Sequence, residues 1–277
     1  MTDHRIDLPS FERPPLIETA LGVQFDPLSN LDIPRLGLLW QRFSKHLPVI
    51  EQQPPLDPVI ERVGIQKQPV TFGLQVFERP PLPRCWFMDK TGKELLQVQQ
   101  DRLIWNWRKT SDEDTYPRYL DHVRPHFVEH FDGFLNFLEE EKIGDFRPNQ
   151  CEVIYVNHIS PDQVWKTRAD LDKIFLGWSS EYKQRAPLEL EATQIVCQHI
   201  INDEKGEFIG RLHMSIESGS RKSDDQPVFV MKLTARGKPL SPDRDGVLNF
   251  MDLGRRYIVE TFDAVTAPAM HKAWRKQ

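Results

Sequence analysis

Histidine is the residue type whose spacing in this chain comes nearest to a metal motif. His122, His126 and His130 follow one another at intervals of four residues, so on a helix they would share one face. Two imidazoles at that spacing can bind one metal ion. All three span about 12 Å along a helix axis, too far for one ion, and the neighbouring phenylalanines favour the flank of a packed helix. We therefore expect no metal site and no cofactor.

A histidine–glutamate pair is the second candidate for chemistry. His213 and Glu217 fall on the same face of a predicted strand, and His158 ends another strand. Such a pair can transfer protons, but no nucleophile motif or oxyanion loop accompanies it, and neither a Walker A loop nor G-x-G-x-x-G is present. These three residues are weak catalytic candidates, and a role other than catalysis is favoured.

The composition is that of an ordinary globular protein. Of 277 residues, 39% are hydrophobic and 28% charged, as in typical domains. The net charge of −5 disfavours attraction to nucleic acid or anionic membranes. The cysteines, Cys85, Cys151 and Cys197, are isolated, and no signal peptide or membrane-length apolar run is recognisable. We predict a cytoplasmic protein with no membrane partner.

Hydrophobic periodicity predicts the same order of elements twice. The first set is a strand over 16–28, a helix over 33–50, strands over 59–66, 70–78, 84–89, 94–100 and 102–110, and a helix over 118–142. The second set is a strand over 150–159, a helix over 160–175, strands over 190–202, 207–219 and 226–237, and a helical segment over 245–274.

This order predicts an α+β protein made of two pseudo-repeated units, residues 14–147 and 148–277, after a disordered tail over 1–13. Helices would pack on one face of an antiparallel sheet. The order is similar to the superfold of TATA-binding-protein halves and helix-grip ligand-binding domains. Fold-level similarity of this kind implies no function.

The stretch "LLQVQQDRLIWNWRKT", residues 95–110, predicts a hairpin with a turn at Gln100–Asp101. The register would pair Val98 with Leu103, Leu96 with Trp105 and Glu94 with Trp107. The apolar members of these pairs would face the core. The opposite side, which we call the polar sheet face, is rich in amide and guanidinium groups. Its candidate binding residues in the two halves are Gln97, Gln99, Arg102, Asn106, Arg108, His213, Lys232 and Arg236.

Several blocks of the chain resemble one sporadically distributed bacterial family of proteins of about this length. The blocks are "RPPLIETALGVQF", "EQQPPL", "LLQVQQDRLIWNWRK", "QCEVIYVNHI", "VFVMKLTARG" and "APAMHKAW". The resemblance extends from about Pro14 to Trp274. It implies a patchily inherited accessory gene of the kind found near mobile or defence genes, and it implies no reaction, cofactor or catalytic residue.

Three functions are therefore open. The leading hypothesis is a non-enzymatic interaction protein whose polar sheet face binds a protein partner encoded nearby or a second copy of the chain, with an antitoxin-like role as its concrete version. The alternative is a helix-grip-like carrier or hydrolase with a pocket between the sheet and a long helix. The third is binding of single-stranded nucleic acid, which is disfavoured because the predicted register separates the tryptophans from the arginines. A merely solvated sheet face is the plainest explanation of the polar residues.

Overall fold

The computed structural model describes residues 8–64, 82–185, 188–221 and 224–277. The strands are β1 (Leu16–Phe25), β2 (Val49–Gln53), β3 (Arg84–Met88), β4 (Glu94–Gln99), β5 (Arg102–Arg108), β6 (Pro148–Ile159), β7 (Gln194–Asn202), β8 (Phe208–Ser220) and β9 (Pro227–Gly237). The helices are α1 (Ile33–Phe43), α2 (Arg124–Glu140), α3 (Leu171–Ile174), α4 (Ser180–Arg185), α5 (Arg244–Val265) and α6 (Pro268–Ala273). A π-helical turn, Tyr119–Val123, precedes α2, and a 3-10 turn, Arg168–Asp170, precedes α3.

The described strands form one antiparallel sheet in the order β2-β3-β4-β5-β1-β6-β9-β8-β7. The central neighbours β1 and β6 are each the first strand of their half, and the other strands of each half extend outwards from them. Phenylalanines of α2 and the apolar stripe of α5 bury one face of the sheet. The predicted α+β class is confirmed. The division at 147/148 stays a prediction, because the sheet is continuous across it.

The hairpin of β4 and β5 has the predicted register. Val98 lies opposite Leu103, Leu96 opposite Trp105 and Glu94 opposite Trp107. Because side chains alternate along a strand, one correctly placed turn determines the facing of every residue in both strands. The predicted core side, which includes Trp105, is buried in the core.

Three predicted elements differ from the structure. The helix predicted over 33–50 ends at Phe43, and β2 follows it. The helix predicted over 160–175 is wrong, since only the short turns from Arg168 to Ile174 are helical. Residues 59–64 of the strand predicted over 59–66 have no strand pairing. The strand predicted over 70–78 lies outside the described residues.

The segment before β1 packs against the end of α5 and the residues that follow α6. Phe11 is buried, and its ring makes edge contacts with Phe262 and Trp274 at 5.4 and 6.1 Å between centroids. The Glu12 amide donates to the Arg275 carbonyl at 3.1 Å. For residues 8–13 the predicted disordered tail is therefore wrong, because burial of Phe11 ties this segment down. Residues 1–7 lie outside the described part of the chain.

Close approach of α5 to the sheet depends on Gly254. A Cβ atom at this position would lie 3.0 Å from Val153 Cγ2 and 3.1 Å from Ala235 Cβ. Gly37, in α1, has nothing within 4 Å of the equivalent point. The two helical glycines therefore differ in whether a side chain can be accommodated.

We predict opposite effects of substituting these two glycines. Gly254→Val should lower the free energy of unfolding by about 2 kcal/mol, because the added atoms overpack the helix–sheet contact. Gly37→Ala should raise it by about 0.5–1 kcal/mol, because alanine favours an exposed helix interior. Urea denaturation monitored by circular dichroism measures both. Equal effects at the two positions would contradict the packing argument.

Candidate functional site

Part of the polar sheet face is covered by the chain's own residues 54–64, which we call the strap. Four polar side chains lie side by side on adjacent strands beneath it. Gln99 is opposite Arg102, Arg102 is opposite Gln24, and Gln24 is opposite Gln150. All four are buried, with relative exposures of 2–7%. Such burial requires hydrogen-bond partners, and the strap supplies them.

The four side chains bind the main chain of the strap, which runs across the strands. Their hydrogen bonds are Leu56 N to Gln99 Oε1 at 3.0 Å, Gln99 Nε2 to Leu56 O at 3.0 Å, Arg102 Nη2 to Asp57 O at 3.0 Å, Val59 N to Gln24 Oε1 at 2.9 Å and Glu61 N to Gln150 Oε1 at 2.8 Å. Side-chain amides thus satisfy backbone groups that a neighbouring strand would otherwise satisfy.

The dimensions of strand and strap agree. Four adjacent strands span about 14 Å at the usual spacing. Five residue steps, from Leu56 to Glu61, reach at most about 17 Å when extended. The strap must therefore be nearly extended to meet one side chain per strand, and its prolines favour that conformation. The proline-rich sequence "PPLDP" was the available signal for an extended segment, but it does not indicate where the segment lies.

Glu61 anchors the end of the strap to the second half of the chain. Its two carboxylate oxygens lie 2.7 Å from Arg211 Nη1 and 2.7 Å from His213 Nε2. Arg236 Nη1 is 3.6 Å away. Burial alone would raise the pKa of Glu61, but hydrogen bonds from His213 and Arg211 outweigh burial, and the pKa is lowered. The carboxylate is therefore ionised at neutral pH.

The remaining predicted binding residues of the first half have partners within the sheet. Gln97 accepts a hydrogen bond from Trp86 Nε1 at 3.1 Å and donates to Asn106 Oδ1 at 2.7 Å. Asn106 in turn donates to Glu18 Oε1 at 2.7 Å. Arg108 donates to the carbonyl of Gly92. In these strands the polar face is internally satisfied, and its use by a partner stays a prediction.

The predicted surface residues of the second half are less uniformly covered. His213 and Arg236 are partly buried beside Glu61, whereas Lys232 is exposed. Among the described residues, Lys232 is thus the member of the predicted surface most open to solvent.

The three weak catalytic candidates do not converge. His213 pairs with Glu61 rather than with Glu217, which is exposed and lies 3.5 Å from the Gln194 amide. His158 and Glu217 flank the same residue of β9 from opposite sides, so a whole strand separates them. The predicted acid–base pair is not formed, because four residues of an extended strand separate His213 and Glu217 by about 13 Å, and the His213 ring contacts Glu61 of the strap.

A pocket of about 340 Å³ lies between the sheet and α5. Its apolar wall includes Phe11, Ile258 and Phe262. Its polar groups come from the sheet, the π-helical turn and α5, and include Tyr116, Arg118, Tyr119, Asp121, Tyr155, Asn157 and Arg255. The position matches the pocket of the helix-grip alternative, but the lining contains none of the histidines predicted for it. Such a pocket is of the size that binds small ligands.

The tyrosines of this pocket are neutral donors. The hydroxyls of Tyr116 and Tyr155 lie 3.0 Å apart. Burial raises the pKa of Tyr116 and of Tyr155, and the charge of Arg255 only partly offsets this. Burial also raises the pKa of Tyr119, whose hydroxyl donates to Asp252 at 2.9 Å. All three therefore keep their protons at physiological pH.

Arg255 lines the pocket and forms no ion pair among the described residues. Its guanidinium lies over the Tyr119 ring, 4.7 Å from the centroid. Its Nε atom is buried and has no hydrogen-bond partner among the described residues. The Nε atoms of Arg84, Arg102, Arg168 and Arg256 are likewise buried without a partner among the described residues, so Arg255 is distinguished by its place in the lining of this pocket. The Arg255 guanidinium lies within hydrogen-bonding reach of the Tyr155 hydroxyl, which also contacts the Tyr116 hydroxyl.

The backbone at the mouth of the pocket is unusual. Arg118 has φ of 77°, a conformation that non-glycine residues seldom adopt. It directly precedes the π-helical turn over Tyr119–Val123. Both features concentrate at functional sites. The Arg118 side chain donates to the Phe11 carbonyl at 2.8 Å, which closes the N-terminal segment over the pocket.

Two of the three regularly spaced histidines lie together in the structure. His122 and His126 have ring centroids 3.9 Å apart, and Glu94 approaches both. His130 is separate, since its ring is buried against Phe43. Burial and the neighbouring His126 lower the pKa of His122 despite Glu94. Of the described residues, Glu94, His122 and His126 are the group whose donor atoms converge closely enough to hold a metal ion.

No family model, curated protein or solved structure matches this chain. Within the described residues, no helix combines the length and apolar character needed to cross a membrane. The function must therefore be argued from the sites themselves.

We predict that Glu61 stabilises the fold through the strap. Glu61→Gln should lower the free energy of unfolding at pH 7 by about 3 kcal/mol, because Arg211 is left buried without its counter-charge. The exposed Glu51→Gln is the matched control and should change it by less than about 0.5 kcal/mol. Because the pKa of Glu61 is lowered on folding, its contribution is complete above the unfolded pKa of about 4.3 and is lost as the pH falls through the folded value.

Urea denaturation between pH 7 and pH 3 tests both statements. The difference between wild type and Glu61→Gln should shrink on the acidic side of that window. A difference that is constant with pH, or equal destabilisation by Glu51→Gln, would show that the ion pair does not anchor the strap.

Proposed function

We propose that this protein is a non-catalytic carrier or sensor that binds a small amphipathic organic anion in the pocket between the sheet and α5. The observation that supports this most directly is the unpaired Nε of Arg255, buried beside the hydroxyls of Tyr116 and Tyr155. A carboxylate is the simplest group that would accept hydrogen bonds from these donors.

The charge of the lining favours an anion. Two arginines, Arg118 and Arg255, and one acid, Asp121, face the pocket, and among the described residues Arg255 makes no ion pair. Partial burial strengthens the attraction between a guanidinium and a carboxylate. The phenolic hydroxyls add neutral donors that need no charge compensation.

The shape of the lining favours a ligand with an apolar body. Leu16, Ile258 and Phe262 contribute apolar side chains to the lining of the cavity. An alkyl or aryl tail against these residues would leave water on binding, at about 25 cal/mol for each Å² of apolar surface removed. The absence of a convergent nucleophile–base pair among the described lining residues supports binding rather than turnover.

Octanoate is a suitable probe, with octanamide as its neutral analogue. Wild-type protein should bind octanoate at least about tenfold more tightly than octanamide, because a charged hydrogen bond contributes about 1.5–3 kcal/mol. Arg255→Gln should abolish that preference, and Val259→Trp should block both ligands by filling the cavity. Isothermal titration calorimetry measures the affinity of each of the three proteins for each ligand.

Arg256→Gln is the matched control. Arg256 is adjacent on α5, but its guanidinium lies over the Tyr257 ring at 4.9 Å and does not line the pocket. The Arg256→Gln variant should bind octanoate as wild type does. Equal affinity for the acid and the amide, or equal losses at Arg255 and Arg256, would contradict an anion-binding pocket.

A second candidate function is self-association or partner binding through β7. Among the described strands β7 lies at an edge of the sheet, and its sequence "QIVCQHIIN" carries no Lys, Arg, Asp, Glu or Pro. Val196 and Ile200 are 63% and 67% exposed. Edge strands are usually protected by charge or proline, so an uncharged apolar edge favours strand pairing with another chain. Two copies could pair antiparallel about a two-fold axis.

We predict that the chain forms a dimer through this edge, of twice the 32.5 kDa of one copy. Val196→Lys should give a monomer, because a charged side chain on an exposed edge strand disfavours pairing with another strand. Ile50→Lys, on the opposite edge strand β2, is the control and should remain a dimer. Sedimentation velocity distinguishes these outcomes, and a monomeric wild type at about 100 µM would exclude the dimer.

The accessory or antitoxin-like role is supported by the family resemblance alone. Either candidate site is compatible with it, since a ligand sensor and an interaction surface both serve regulatory proteins. Co-purification with the product of a neighbouring gene is the direct test.

A further inference from the structure

The side chains of Glu94, His122 and His126 form a cluster on the helix-covered side of the sheet, separate from the pocket lining. Each contributes one ligand atom, and these atoms all lie within 4.8 Å of one another. Glu94 begins β4, His122 belongs to the π-helical turn, and His126 lies in the first turn of α2. The cluster therefore joins the sheet to the long helix of the first half.

The two histidines present the same ring nitrogen to the cluster. His126 Nδ1 lies 2.9 Å from the carbonyl oxygen of His122, so this nitrogen donates and leaves the Nε2 lone pair free. Metal-binding histidines usually have their other nitrogen held in this way. His122 Nε2 contacts Glu94 Oε1 at 2.8 Å. A metal ion would take the place of the proton shared by these two atoms.

The spacing of the donors suits a small ion. Two ligands at about 2.0–2.1 Å from a tetrahedral ion lie about 3.4 Å apart. Glu94 Oε1 is 2.8 Å from His122 Nε2 and 3.9 Å from His126 Nε2. The observed distances bracket the required one, so shifts of about half an ångström complete the arrangement.

The surroundings leave one coordination position open. The side chains of Glu94, His122 and His126 are 24%, 26% and 32% exposed. The Trp105 ring closes the inner side, stacked on His126 with centroids 5.8 Å apart. All three side chains are thus partly accessible to solvent, which can supply a fourth ligand. Two histidines, one glutamate and an open fourth position are a known zinc ligand set.

We propose that Glu94, His122 and His126 form a binding site for a zinc-like divalent transition metal ion, with water as the fourth ligand. Nitrogen donors favour Zn²⁺ over Mg²⁺ or Ca²⁺, which prefer oxygen. This proposal differs from the expectation, drawn from the sequence, that the histidine stripe binds no metal. The sequence showed the two histidines but not the glutamate, which comes from a strand 28 residues earlier.

The test uses the full chain without a histidine tag, titrated with Zn²⁺ and, as a spectroscopic probe, Co²⁺. One Zn²⁺ should bind per chain with a dissociation constant of about 10 µM or lower, equivalent to about 7 kcal/mol. The Co²⁺ form should show the visible absorption of a four-coordinate ion. Zn²⁺ at 100 times the dissociation constant should raise Tm by about 5 °C.

Variants assign the ligands. Glu94→Gln and His126→Gln should each weaken Zn²⁺ binding by at least about tenfold, with thermal unfolding in the absence of metal confirming that they fold. His46→Gln removes an exposed histidine outside the cluster and should bind as wild type does. Arg255→Gln should also retain the metal, which separates this site from the anion pocket.

Absence of Zn²⁺ binding to wild type would overturn the proposal. So would binding that Glu94→Gln leaves unchanged, since the histidines would then act as a surface pair. Equal weakening by His46→Gln would show nonspecific coordination and would likewise overturn it.

Discussion

The buried carboxylate of Glu61 is the contact on which the polar side of this sheet depends. Removing a carboxylate and a guanidinium from water costs several kcal/mol for each ion. Here Arg211 and His213 repay that cost with hydrogen bonds of 2.7 Å. Without the strap Arg211, which lies two residues before His213 on the same face of β8, would lack the carboxylate that pairs with it. Glu61 belongs to the first half and its partners to the second, so the pair also holds the halves together.

The strap changes the functional interpretation of the polar sheet face. A row of Gln and Arg side chains with no cover would be a surface for another molecule. In the structure the row of Gln24, Gln99, Arg102 and Gln150 binds main-chain groups of residues 54–64. The sheet thus binds an extended peptide segment of its own chain. The open surfaces lie elsewhere, at the β7 edge, in the pocket beside α5, and at the cluster of Glu94 with two histidines.

The two halves share an architecture but carry different candidate sites. In the first half, a π-helical turn and α2 cover the strands and bring His122 and His126 over β4. In the second half, α5 lies close to β6 and β9 through Gly254, and Arg255 reaches the cavity beside Tyr155. The N-terminal segment closes that cavity through Phe11. A pseudo-repeated fold therefore carries two unlike candidate sites.

The sequence by itself determined the fold class, the hairpin register and which residues of β4 and β5 face the core. These follow from local patterns, since side chains alternate along a strand and a two-residue turn fixes the register. Tertiary structure decided that residues 54–64 cross the polar face, that Glu61 meets an arginine 150 positions away, and that Glu94 joins His122 and His126. Such contacts between distant residues depend on the path of the connecting segments, and no periodicity in the chain encodes that path.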